Sequence, residues 1–212
     1  YLAGAHLGAQ PTFPVDACRL VGEGAFWREV ILLAVGRLVY LGGDTARPLA
    51  LAAELCPAQA DGSDLAWQRT WLAGDVLLEI GLNRVRDSAL GRELLERVQA
   101  RLASLLSAGA LEARERVAAG NSLARLGDPR FRSDAWYLPD EPLLGFVQVP
   151  AGPFLMGSDQ RKDRWTMERE TPQHSLDLAG FYMARYPVTV AQFRAFVERS
   201  GHRPADPDSL QG

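Results

Sequence analysis

The sequence predicts a multidomain protein that is all-α in its first part and α+β in its second, on three observations. Residues 26–126 are helical in pattern almost throughout, dominated by Leu, Ala, Arg and Glu with few prolines, residue types that lose little rotamer freedom in a helix. At 128–142 the composition shifts to Asp, Pro, Arg and aromatic residues. Beyond that stretch the apolar period shortens toward two, the spacing of a strand with one buried face. The chain therefore divides into a helical region at 1–130, a linker at 131–145 and an α+β module at 146–212.

The helical candidates are 25–41, 46–55, 65–80, 89–107 and 112–126, parted by turn-forming stretches such as Gly42-Gly43-Asp44 and 57–63. Two of them repeat the pattern Ala-Gly-x-x-Leu-x-x-apolar-Gly, at Ala73-Gly74 through Gly81 and at Ala119-Gly120 through Gly127. Their offset of about 46 residues lies in the roughly 40–47 residue range of HEAT-type helical repeats, whose units bury their apolar faces by stacking. In this reading the Ala-Gly step lets helices approach closely. The apolar residues three and six positions on face the stack, and the last Gly ends the helix in a left-handed conformation. Two unrelated amphipathic helices of similar composition would give the same pattern. Either reading is all-helical.

Composition bounds the function classes. The 212 residues carry 23 basic and 26 acidic side chains, a formal net charge of -3, and 47% hydrophobic content. That balance gives no reason to expect nucleic acid or an anionic membrane as partner. Cys18 and Cys56 have no CxxC neighbour or nearby His, so neither a zinc site nor a disulfide framework is expected, and a cytoplasmic location is the simplest. The most apolar run, 30–41, contains Arg37 and falls short of the roughly 20 residues a bilayer span needs. The opening Tyr1-Leu2-Ala3-Gly4-Ala5-His6-Leu7 has no secretory pattern, and both ends read as cuts in a longer protein.

In the helical region, 115–130, the opening seven residues and 26–34 resemble the helical repeats that follow the nucleotide-binding core of signalling ATPases of the NACHT or STAND type. The resemblance implies a phosphate-binding domain before Tyr1. No GxxxxGK[ST] occurs in the chain, and Gly22-Glu23-Gly24 is too short for a phosphate loop, so ATP is expected only upstream.

In the carboxy-terminal module, 146–149 and 154–156 read as strands around the turn Pro150-Ala151-Gly152-Pro153, and 174–178 and 181–184 as two further strands. Thr189 is the expected N-cap of a helix and Gln192 completes its capping box. Val190, Phe193, Phe196 and Val197 form its apolar stripe, and Gly201 its stop. Three ordered motifs here resemble the formylglycine-generating-enzyme (sulfatase-modifying factor) type domain, a C-type-lectin-like fold. They are Val149-Pro150-Ala151-Gly152-x-Phe154-x-Met156-Gly157-Ser158, Glu170-x-Pro172-x-His174, and Pro187-Val188-Thr189 followed by Gln192-Phe193 and Phe196-Val197. Val190 departs from the Asn usual after Pro-Val-Thr. The likeness stops with the chain, so half or more of the domain is expected beyond it.

Pro150, Gly152, Phe154, Met156, Gly157, Glu170, Pro172, His174, Pro187, Thr189 and Phe193 are thus expected as framework residues. No catalytic, cofactor-binding or metal-ligating residue is assigned. Catalytic members of the resembled family bind copper through paired cysteines later in the domain; Cys18 and Cys56 do not match those positions and read as packing groups. His174 stands without a second His or a suitably spaced carboxylate and reads as structural. Asp159, Asp163, Glu168 and Glu170 interleave with Arg161, Lys162, Arg164 and Arg169, which favours a solvated loop over a calcium site.

Two functions remain. The preferred expectation is a bacterial-type signalling or sensor protein, in which a helical-repeat platform presents the lectin-like domain to a protein or small ligand. The alternative is a formylglycine-generating or related metal-dependent oxidase acting on a thiol, its copper or iron and catalytic residues lying downstream. The oligomeric state is left open.

Overall fold

Helix formers, caps and apolar stripes coincide along the first part of the computed structural model, which describes residues 2–59, 61–203 and 205. The described helices are α1 (Leu2–Ala9), α2 (Phe13–Leu20), α3 (Phe26–Tyr40), α4 (Ala46–Leu55), α5 (Asp64–Ile80), α6 (Leu82–Arg86), α7 (Ala89–Ala108) and α8 (Ala113–Leu126). Of these, α3, α4, α5, α7 and α8 fall where the helical period places them. Local chemistry sets their ends. Ser63 Oγ accepts from Ala66 N at 3.2 Å and Ser88 Oγ from Gly91 N at 2.9 Å, each satisfying an N–H the first turn leaves open. Gly109, left-handed at φ 65° and ψ 23°, ends α7 by returning its N–H to the carbonyls of Leu105 and Leu106.

The helices pack in two rows. In one, α1 lies on α3, α3 on α5 and α5 on α8; in the other, α2 lies on α4 and α4 on α7, while α5 also meets α4 and α7. Ile31, Leu51, Leu72, Leu77, Leu102 and Leu123 are among the large side chains buried between them. No described residue beyond Leu126 joins this core cluster.

The repeated Ala-Gly pattern is only partly equivalent in space. Leu77 and Ile80, like Leu123 and Leu126, are buried as stacking requires. A Cβ on Gly74, however, would lie 3.1 Å from Leu102 Cδ1 and 3.3 Å from Leu126 Cδ1, whereas one on Gly120 would approach Leu106 no closer than 3.8 Å. Close approach is therefore built at Gly74 alone. The terminal glycines also differ from the left-handed expectation. Gly81 has φ 92° with ψ 126° and Gly127 has φ 101° with ψ 104°. Both have positive φ but extended ψ, and at Gly81 this turns the chain straight into α6.

The chain separates into two units, Tyr1–Arg130 and Phe131–Gly212. In the second, β1 (Phe131–Arg132) pairs antiparallel with β2 (Leu138–Pro139). β3 (Phe146–Val149) pairs with β6 (Phe181–Ala184), and β4 (Gly152–Met156) with β5 (His174–Leu178), all antiparallel. α9 (Val190–Ser200) follows. The period-two segments are strands as read, but Val147, Leu155, Leu176 and Met183 are all exposed, so neither ribbon buries an apolar face among the described residues.

Gly74→Leu is expected to destabilise the protein by about 1–3 kcal/mol through overpacking against Leu102 and Leu126. Gly120→Ala, with room for its methyl, should be neutral or stabilising by up to about 1 kcal/mol. Urea denaturation followed by circular dichroism distinguishes the two; equal losses would contradict the asymmetry.

Candidate functional site

Two of the three framework motifs converge at the carboxy-terminal end of β4. Met156 pairs with His174 at the end of the β4–β5 ribbon, and Phe154 pairs with Leu176 further along it. Gly157 follows at φ 86°, a conformation L side chains rarely adopt. A Cβ there would lie 2.8 Å from the Glu170 carbonyl and 2.9 Å from that of Pro172, so the position requires glycine sterically as well. Backbone and side-chain bonds then tie the loop shut: Ser158 N donates to Glu170 O at 2.7 Å and Gln173 Nε2 to Gly157 O at 3.1 Å. His174 Nδ1 donates to Pro172 O at 2.8 Å, which fixes its proton on that nitrogen.

Glu170 Oε2 accepts from Met167 N at 3.3 Å, and Thr171 Oγ1 donates to Glu168 O at 2.8 Å. Asp159 accepts from Arg161 N at 3.0 Å and Asp163 from Trp165 N at 2.9 Å. These carboxylates hold their own loop. Among the described residues, no group of three or more His, Cys, Asp or Glu is placed to hold a metal ion. The loop presents Trp165 to solvent, 92% exposed.

The other motif residues act at a distance from this knot. Pro150 sits exposed in the turn between β3 and β4, Gly152 opens β4 opposite Leu178, and Pro187 lies exposed before α9. Thr189 caps α9 reciprocally with Gln192: Gln192 N donates to Thr189 Oγ1 at 3.2 Å, and Thr189 N to Gln192 Oε1 at 2.8 Å. Gln192 Nε2 also donates to Tyr137 O at 3.0 Å, drawing the Trp136-Tyr137 turn onto the helix. Phe193 and Phe196 stack at 6.2 Å, and Trp136 meets Phe196 at 6.1 Å.

The helical unit holds a polar cluster that no local sequence pattern signals. Asp75 on α5 binds the Arg28 guanidinium of α3 and accepts from Ser122 Oγ of α8 at 2.5 Å. Arg28 also lies 4.1 Å above the Trp71 ring centroid. Burial lowers the Arg28 pKa, against the raising effect of Glu29. The Asp75 carboxylate is held by the Arg28 guanidinium and Ser122 is buried, so the cluster reads as a structural junction of three helices.

Cys18 and Cys56 are unpaired thiols. Cys56 is fully buried, and Cys18 Sγ donates to Glu54 O at 3.7 Å. Burial raises both thiol pKa values, opposed by Arg69 at Cys18 and by Arg101 and Arg97 at Cys56. The neutral thiol is a poor nucleophile and a poor metal ligand.

Comparison with known proteins finds similarity in the carboxy-terminal segment. Residues 136–211 match the family described as Sulfatase-modifying factor enzyme 1-like domain. The hercynine oxygenase of Mycolicibacterium smegmatis is 38% identical over 56 residues, 26% of this chain and 13% of that protein. The hercynine oxygenase of Mycolicibacterium thermoresistibile is 36% identical over 81 residues, 37% of this chain and 18% of that protein. The formylglycine-generating enzyme of Mus musculus is 38% identical over 60 residues, 28% of this chain and 16% of that protein. The matched stretches thus span under a fifth of each of these relatives. No solved structure matches the chain.

These similarities overturn the expectation of a signalling platform with a recognition module. The relatives of the segment are named as hercynine oxygenases and a formylglycine-generating enzyme, so the segment is similar to parts of enzymes rather than of signalling proteins. The recognition reading rested on domain order and fold-level analogy, which carry no site.

Gly157→Ala should destabilise the second unit by about 1–3 kcal/mol, because it forces a side chain into a positive-φ position crowded by two carbonyls. Thr189→Ala should cost about 0.5–2 kcal/mol through loss of the cap. Hydrogen exchange at Ser158 and Gln192 reads the two effects separately. For the thiols, the native protein binds protons more tightly than the unfolded chain, so their contribution to stability is complete below the unfolded thiol pKa of about 8.5 and falls as pH rises past it. Iodoacetamide at pH 8 should leave Cys56 unlabelled until urea unfolds the protein; rapid native labelling would contradict its burial.

Proposed function

We propose that residues 131–212 are framework of an oxidase or oxygenase domain of the sulfatase-modifying-factor type. In this reading the domain takes a C-type-lectin-like fold and performs dioxygen-dependent oxidation of a thiol substrate. The observation that carries the reading is the coincidence of the Gly157, Glu170, Pro172 and His174 knot with the segment that matches the enzyme family.

The described residues do not supply a donor set for the copper or iron such chemistry uses. His174 commits Nδ1 to Pro172 O, Asp159, Asp163 and Glu170 accept from N–H groups of their own loop, and Cys18 and Cys56 are thiols of the helical unit, the first half-buried and the second buried. The reading therefore places the metal ligands and reacting groups outside the described residues, and no catalytic step runs through them. The exposed apolar faces of Leu155, Leu176 and Met183 support a partial domain that further polypeptide covers.

The helical unit, with its two rows of stacked helices, is read as a HEAT-like array. The unpaired thiols favour a reducing compartment, and among the described residues no helix is long and apolar enough to cross a membrane.

The test is oxygen uptake by the protein of the complete reading frame, loaded with copper or iron in turn. A cysteine-containing peptide is one substrate, and hercynine with a free thiol the other. Uptake that depends on the thiol and on one metal is expected. Tight metal binding without thiol-dependent uptake, or no metal binding at all, would contradict the reading.

A further inference from the structure

We draw no further inference here: the strongest candidate, the cavity of about 340 Å3 in the helical unit walled by Arg28, Gln68, Trp71 and Glu115, carries nothing because Arg28 is already held by Asp75 and Glu115 by Gln68, and nothing in the structure shows what occupies it.

Discussion

Helix α5 is the element on which the amino-terminal unit depends. It meets α3, α4, α7 and α8, and two adjacent residues serve its contacts with α3, α7 and α8. Gly74 has no side chain, so Leu102 of α7 and Leu126 of α8 approach its backbone within ordinary packing distance. Asp75, one position on, turns toward Arg28 of α3 and Ser122 of α8. Apolar contact alone tolerates sliding of one helix on another. A half-buried carboxylate with one guanidinium and one hydroxyl partner restricts that sliding, because a shift breaks both charge-assisted bonds at once.

The second unit is organised differently. Its order comes from hydrogen bonds and backbone sterics at particular positions, namely Gly157 beneath the Glu170 and Pro172 carbonyls, His174 on Pro172, and the Thr189 and Gln192 cap. Such bonds contribute about 0.5–1.5 kcal/mol each, enough to shape a loop but not to replace a buried core. Two-stranded ribbons with open apolar faces are marginal in water by themselves. The motif residues thus describe how this segment is shaped.

Much of the fold was legible because local periodicity places α3, α4, α5, α7, α8 and α9, with side-chain caps marking the starts of α5, α7 and α9. α1 and α2 were not, since the Leu2–Ala9 run is mostly small and apolar with no polar face, and α2 is short and its Thr12 makes no side-chain cap, although Phe13 and Ala17 form a buried stripe. The Arg28, Asp75 and Ser122 junction was illegible for another reason: it joins residues far apart in sequence whose types suit a solvated surface equally well. The need for glycine at 157 depends on two carbonyls supplied from 170 and 172, visible in sequence only as a motif. The motif itself did identify the enzyme kinship, while the domain order beside it pointed toward recognition and misled.

The central claim is that this segment frames a metal-dependent oxidase whose ligands lie elsewhere in the complete protein. Metal content of that protein tests it most directly, measured for the parent and for a variant carrying Cys18→Ser, Cys56→Ser and His174→Gln together. The account predicts bound copper or iron in equal amount in both. Loss of the metal from a variant that still folds, or its absence from the parent, would contradict it.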